Sequence, residues 1–267
     1  MIKIGIAGFG TIGRVVARHI EASALPLNLA AVSAGDPARA AAAMVQLRAP
    51  VPIVDTDALV ALSDVIVDSA PTAAFRDIAT ATLRAGKTLV TVSGAALMQW
   101  PEAVEIARDH GGRIVLATGA LLGLDAVRAA AIGTIHSVRM VTRKPVKSLV
   151  KAEHVVRNRI DLTDLTEPLK IFAGSALEGA MAFPANVNVA AALGMAGIGP
   201  ALTRLEIWAD PALERNTHRI IVDSDSARFE LIIENIPTDE NPGTGRITAQ
   251  SIVAALNDLV SPIRIGT

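Results

Sequence analysis

The first residues that suggest chemistry form a glycine-rich loop near the start of the 267-residue chain. The segment Gly8–Gly13 fits the pattern G-x-G-x-x-G, follows a short apolar run and opens a predicted helix. In that context the pattern is typical of a dinucleotide-binding fold, although a glycine-rich turn without a ligand is the alternative. The first glycine would permit a tight turn, the second the approach of a pyrophosphate, and the third close packing of helix and strand. With the N–H groups of the helix N-terminus, the predicted cofactor contacts are Gly8, Gly10, Thr11, Ile12 and Gly13.

The end of the second predicted strand bears on which dinucleotide binds. An acidic residue there would accept hydrogen bonds from the ribose 2′-OH of NAD and repel the 2′-phosphate of NADP. This chain has Ser33 at that place and Asp36 three residues later. Ser33 and Arg39 could bind a 2′-phosphate, whereas Asp36 could reach the ribose or cap the following helix. The predicted cofactor is therefore NAD or NADP, without preference.

Two further strand ends carry small and polar residues. Asp68-Ser69-Ala70-Pro71 ends the third predicted strand and Ser93-Gly94-Ala95 ends the next. Ligands of open α/β sheets bind outside the carboxyl ends of the strands. We expect Ala70 and Pro71 to line the cofactor crevice, mainly through backbone atoms; the alternative is that both segments are ordinary turns.

Acid–base chemistry must come from a short list of side chains. The chain has no cysteine and no tyrosine, which excludes thiolate nucleophiles, cysteine-ligated zinc and a Tyr–Lys proton donor. Its five histidines lack the i, i+4 spacing of metal ligands, so no metal site is predicted. His218 is the candidate acid–base group because imidazole titrates near neutral pH; the alternative is a histidine at a strand start bonded to backbone.

Candidate substrate-binding residues follow a predicted strand of the second half. Arg143 and Lys144 could bind carboxylates there, with solvated surface charge as the alternative. Lys147 and Lys151 are weaker candidates. One asparagine of the pair Asn186 and Asn188 could hold cofactor or substrate, while the other caps a helix.

The elements that must position these residues change in kind near the middle of the chain. Residues 1–119 alternate strands with helices, which predicts a Rossmann domain with a parallel sheet. Residues 120–241 have clustered strand-like runs, which predict a second, α+β domain with a mixed sheet. We expect 242–267 to pack back on the first domain and 143–168 to form a loop or lid. The predicted fold class is therefore α/β.

Composition excludes several function classes. Net charge is −1 and no basic stripe is present, so nucleic acid is not an expected partner. Mean hydropathy is +0.43, but the apolar runs fall short of the ~20 residues that a bilayer crossing needs. Met1 leads directly into a strand-like run, so we expect no signal peptide and a cytoplasmic location.

Beyond the glycine loop, the chain resembles the L-aspartate dehydrogenase family over nearly its whole length. Ordered segments at compatible spacing carry the resemblance. They are Gly119–Ala126, Thr142–Pro145, Phe183–Ala191, Ala209-Asp210, Asn216–His218, Glu240–Pro242 and Ile265–Thr267.

The resemblance implies a reaction and an assembly. The implied reaction is reversible NAD(P)-dependent oxidation of L-aspartate to iminoaspartate, which hydrolyses to oxaloacetate and ammonia or feeds NAD biosynthesis. By motif, His218 would be catalytic, and Ala120 with Asn186 or Asn188 would contact the cofactor. A homodimer or higher oligomer is also implied. The alternatives are a dehydrogenase or reductase of another amino or oxo acid, and a non-catalytic dinucleotide sensor that would not need His218.

Overall fold

The structure is a computed structural model that describes residues 1–183, 187–240 and 243–266. The chain divides into two compact units. The first unit comprises residues 1–117 and 248–264, and the second comprises residues 118–247 and 265–267.

The first unit contains a five-stranded sheet with the spatial order β2-β1-β3-β4-β5. All of its strand pairs are parallel. The strands are short and mostly buried, as expected of a parallel sheet that is covered on both faces. They are β1 (Ile2–Ala7), β2 (Leu27–Ser33), β3 (Val65–Asp68), β4 (Thr88–Thr91) and β5 (Arg113–Leu116).

Helices cover this parallel sheet. α1 buries Val16, Ala17 and Ile20 against it, and the C-terminal helix adds Ile252 and Leu256 to the same core. The helices are α1 (Thr11–Ala22), α2 (Pro37–Met44), α3 (Thr56–Leu62), α4 (Phe75–Arg84), α5 (Gly94–Met98) and α6 (Glu102–His110), with 248–258 of the C-terminal helix Arg246–Asp258. A 3-10 turn, Thr72–Ala74, precedes α4. The predicted strand–helix alternation is confirmed, but sequence periodicity missed α3 and α5.

The second unit contains a five-stranded mixed sheet with the order β10-β9-β6-β8-β7. β6 runs parallel to β8, and the other neighbouring pairs are antiparallel. The predicted combination of a Rossmann sheet and a second, mixed sheet is therefore confirmed. The strands are β6 (Ile135–Pro145), β7 (Leu169–Ser175), β8 (Arg204–Asp210), β9 (Thr217–Ser224) and β10 (Arg228–Glu234).

Alternation along these strands gives the mixed sheet two different faces. The face we call inner is buried and carries Thr142, Lys144, Ile207, His218 and Ile220. The face we call outer is more exposed and carries Arg139, Arg143, Glu206, Arg219 and Glu230.

Among the helices of the second unit, α9 packs against β7 and β8, and α10 packs against α7 and α9. α9 begins with a capping box, in which Ser175 Oγ accepts from the Glu178 N–H at 3.1 Å and Glu178 Oε2 accepts from the Ser175 N–H at 2.7 Å. The sequence S-x-x-E is the signal for such a helix start, and our sequence analysis missed it. The helices are α7 (Leu124–Ala130), α8 (Glu153–Arg157), α9 (Ala176–Ala182) and α10 (Asn188–Ala196), and the last helix, α11, is Arg246–Asp258.

The prediction that 143–168 forms a loop is wrong at its start and in its middle. β6 continues to Pro145 because Arg143 and Lys144 pair with Trp208 and Ala209 of β8. A 3-10 turn, Val146–Ser148, and α8 then interrupt the remainder. Across the part of the chain that the structure describes, no helix is long and apolar enough to span a membrane.

Candidate active site

The glycine loop between β1 and α1 has the geometry that its sequence predicts. Gly8 has φ +92°, and a Cβ there would lie 2.5 Å from the backbone nitrogen of Ala70. A Cβ on Gly13 would lie 2.2 Å from Gly8 O, so only glycine allows α1 to approach the strand this closely. Nothing lies within 4 Å of a Cβ built on Gly10, the N-cap of α1. The loop therefore leaves open space beside Gly10 at the N-terminus of α1, which fits a pyrophosphate.

Asp68 ties the loops after β3 and β4 to this region. Its buried carboxylate accepts from Thr91 Oγ1 and Ser93 Oγ, both at 2.8 Å, and from the Ala70 N–H at 3.2 Å. Burial raises the pKa of Asp68, and these three hydrogen bonds oppose that rise. Ser69 Oγ donates to Gly8 O at 2.6 Å. The network holds Ala70 beside Gly8, with Pro71 next in the chain.

The ribose-end candidates lie at the same edge of the parallel sheet. Ser33 ends β2 and is buried, and its carbonyl accepts from the Gly8 N–H at 2.9 Å. Asp36 is the N-cap of α2, and its Oδ1 accepts from the Arg39 N–H at 2.9 Å. Of the roles left open for Asp36, helix capping is therefore the one that the structure shows.

The second unit brings His218 against a hydroxyl that sequence analysis did not single out. His218 of β9 and Thr142 of β6 are register partners on the inner face. Thr142 Oγ1 and His218 Nδ1 are hydrogen-bonded at 3.1 Å, and both side chains are buried. The ring thus has a side-chain partner at Nδ1, which fixes its orientation and makes Nε2 the nitrogen available for proton transfer.

Lys144 shares this face, two residues beyond Thr142. It is 5% exposed, and burial lowers its pKa to about 8. Burial, and secondarily the positive charge of Lys144, lower the pKa of His218 to about 3. At neutral pH the site therefore combines an uncharged imidazole with a buried ammonium group.

Arg143, predicted together with Lys144, lies on the outer face. Its Nη1 is 3.3 Å from Asp210 Oδ2, and its guanidinium lies over the Trp208 ring at 5.5 Å. The structure thus brings Lys144 to the face of His218 and places Arg143 opposite.

Three residues of the second half, Ala120, Asn186 and Asn188, are the candidates for further cofactor contacts. Ala120 O accepts from Asn235 Nδ2 at 3.2 Å. Asn188 is the first residue of α10 and is not its N-cap, which is Val187. Asn186 lies outside the described residues.

A cavity of about 420 Å³ lies near the start of β9. It is lined by Asn216, which directly precedes β9 and lies two residues before His218. It contains two cations, Lys147 and Arg215, of which sequence analysis named only the first, as a weaker candidate. The lining is completed by Pro145, Ser148, Glu214, Asn235, Pro237, Gly243 and Gly245. Among the described residues, no group of three or more His, Asp or Glu side chains could hold a metal ion.

Two family models match successive parts of the chain. Residues 8–117 match the family described as homoserine dehydrogenase, NAD binding domain, and residues 125–259 match the family described as aspartate dehydrogenase, C-terminal.

Individual proteins match over the full length of the chain. It is 48% identical to an L-aspartate dehydrogenase of Bradyrhizobium diazoefficiens, covering 100% of this chain and 94% of the relative. It is 46% identical to L-aspartate dehydrogenase 3 of Bordetella bronchiseptica, covering 100% and 98%. The crystal structure of an aspartate dehydrogenase from Thermotoga maritima has the same fold, with TM-score 0.75, 24% identity and full coverage of both chains. The chain therefore belongs to the L-aspartate dehydrogenase family.

Proposed function

We propose that the chain oxidises L-aspartate to iminoaspartate with NAD or NADP and catalyses the reverse reaction. The observation that carries the proposal is the buried inner-face cluster of Thr142, Lys144 and His218 in a chain of this family. Such a cluster offers a proton acceptor and a cation together, and oxidation of an amino dicarboxylate needs both.

The division of roles follows from the residues. When bound at the glycine loop, the nicotinamide cofactor supplies the acceptor for the hydride that leaves the substrate Cα. His218 Nε2 accepts a proton from the substrate ammonium, so that the nitrogen lone pair can form the C=N bond as the hydride departs. Once it has released that proton to solvent, the same nitrogen can take a proton from the water that attacks the imine carbon.

Lys144 and the substrate set the proton affinity of His218. We propose that the Lys144 ammonium binds a substrate carboxylate, because this cation lies on the buried inner face, two residues along β6 from the hydrogen-bond partner of His218. A bound dicarboxylate would also raise the pKa of His218, since a nearby anion favours the imidazolium form. His218 would therefore be a stronger base with substrate present than in the free site. Arg143 was the other predicted substrate ligand; the proposal gives that role to Lys144, and a comparison of variants at the two residues tests the choice.

Two implications of the family resemblance form part of this proposal. One is that iminoaspartate is passed on to NAD biosynthesis, and the other is that the chain forms a homodimer or higher oligomer. Sedimentation velocity tests the second, and a mass of one chain would contradict it.

The experiment is loss of NAD(P)H absorbance when the purified protein meets oxaloacetate and ammonium, run separately with NADH and NADPH. We expect oxidation that depends on ammonium, because the imine is the species reduced. Omitting ammonium and omitting oxaloacetate are the controls. Oxidation without ammonium would indicate reduction of an oxo acid. Dinucleotide binding without turnover, on aspartate or a panel of other amino acids, would favour the sensor.

A further inference from the structure

A second cavity lies in the first unit, beside the glycine loop. Its volume is about 260 Å³, and it is lined by Phe9, Gly10, Arg14, Arg39, Ala42, Ala43 and Gln46. The lining includes two arginines and no acidic residue, so its formal charge is +2. Gly10 lines this cavity and also belongs to the glycine loop that fits the pyrophosphate. The cavity therefore lies beside the proposed pyrophosphate site.

The residues around the end of β2 explain why no carboxylate opposes that positive charge. The last residue of β2 is Ser33, and Ala34 follows it. Ser33 is the register partner of Ala7, directly before the glycine loop. The nearest acidic residue along the chain, Asp36, binds the Arg39 N–H through Oδ1. Its carboxylate is thus part of the α2 cap, and the residue does not line the cavity.

The two arginines are held on separate elements. Arg39 lies in the first turn of α2, whose start is fixed by the Asp36 cap. Arg14 lies in the first turn of α1, where its Nε donates to Gly10 O at 3.3 Å. Guanidinium groups suit phosphate oxygens because their N–H donors form a planar fork.

We propose that this cavity is a phosphomonoester subsite, in which Arg14 and Arg39 bind the 2′-phosphate of NADP and so select NADP over NAD. The inference rests on the dinucleotide binding in the proposed function. It does not depend on aspartate being the substrate, and its test requires no turnover.

The test compares two ligands that differ only in the 2′-phosphate, adenosine 2′,5′-bisphosphate and adenosine 5′-monophosphate. Their dissociation constants are measured by titration calorimetry on the full chain at low and at moderate salt. We expect the bisphosphate to bind roughly 10- to 100-fold more tightly, the range of a charge-assisted contact. The preference should shrink as salt rises, because salt screens charges that are partly exposed.

Variants identify the residues responsible. Arg39→Gln and Arg14→Gln should each reduce the ratio of the two affinities about tenfold. Arg14→Lys keeps the charge and should retain part of the preference. Ser33→Asp should reverse it by placing a carboxylate at the end of β2. Arg18→Gln is the matched control, since Arg18 is an exposed arginine of α1 outside the cavity lining.

Each result decides between clear alternatives. Equal affinities for the two nucleotides, or a preference that survives both glutamine variants, would overturn the inference. A preference that disappears in those variants supports it, even if the protein fails to turn over aspartate, in which case only the proposed function is rejected. If neither nucleotide binds, the inference and the dinucleotide role both fail.

Discussion

The inner and outer faces of the mixed sheet treat charged side chains in opposite ways. On the outer face, Arg139 pairs with Glu206 at 2.7 Å, and Arg219 pairs with Glu230 through two bonds of 2.6 and 2.8 Å. On the inner face, Lys144 and His218 are almost fully buried, and the pKa of each is lowered. The same strands supply both arrangements, so a step of one residue decides which environment a charge enters.

The two faces also differ in what they do for stability. Exposed ion pairs contribute about 0–1 kcal/mol each, because water and salt screen them. A buried ammonium group costs stability, and the lowered pKa of Lys144 is the sign of that cost. A costly group on the inner face is the kind of feature expected at a functional site.

The largest expected effect is on catalysis, from His218. Replacing His218 with Gln should lower kcat/KM for aspartate roughly 10²- to 10⁴-fold, the range for loss of a general acid–base group. Dinucleotide affinity should not change, because His218 is not among the predicted cofactor contacts. Arg219→Gln, the next residue and on the outer face, is the matched control. A His218→Gln enzyme with near wild-type kcat/KM would contradict the assigned role.

The next effect is a pH dependence of stability from Lys144. Its pKa is about 8 in the fold and ordinarily 10.5, so between these values the unfolded chain binds more protons than the folded one. The free energy of unfolding should therefore rise with pH across that window, by up to about 3 kcal/mol from this group. Below pH 8 both states are protonated and the cost is constant.

Urea unfolding of the wild type and of Lys144→Met at pH 8 and pH 10.5 measures this effect. Subtracting the variant removes the contribution of the other titrating groups. The wild type should gain more stability than the variant between the two pH values. Equal gains would show that Lys144 is not desolvated in solution.

A smaller effect is expected from Thr142. Thr142→Val keeps the side-chain shape but loses the hydrogen bond to His218 Nδ1, which is worth about 1 kcal/mol, or roughly fivefold in kcat. Thr142→Ser should restore most of the loss because it keeps the hydroxyl. Nitrogen NMR of the imidazole gives a second readout, since the tautomer distribution of His218 should change only in the valine variant. Equal kcat for Val and Ser would remove the positioning role.

Local sequence patterns could predict the parallel sheet and its glycine loop. The roles of Gly8, Gly10 and Gly13 follow from spacing within six residues, and the structure shows the expected close approach and open space. Short helices were harder to predict. α3 has seven residues, too few for a clear period, although Asp55 caps it by accepting from the Ala58 N–H at 2.8 Å.

The candidate site depended on partners that sequence reasoning could not see. Thr142 and His218 are 76 residues apart, and only the register of β6 against β9 brings them together. The separation of Arg143 from Lys144 has a related cause. Ending the predicted strand at Thr142 left both cations in a loop, whereas pairing with β8 extends β6 and sends them to opposite faces.

The neighbouring residues Arg143 and Lys144 provide the most direct test of the central claim, that the inner face carries the aspartate site. The measurement is kcat/KM for aspartate in Lys144→Met and Arg143→Met, compared with wild type. We expect a loss of about 10- to 100-fold for Lys144→Met, the value of a charge-assisted contact. Arg143→Met should lose at most about threefold, because Arg143 is partly exposed on the outer face and its buried partner Asp210 keeps the Ala212 N–H as a hydrogen-bond donor. A larger loss for Arg143→Met than for Lys144→Met would place the substrate on the outer face and contradict the account.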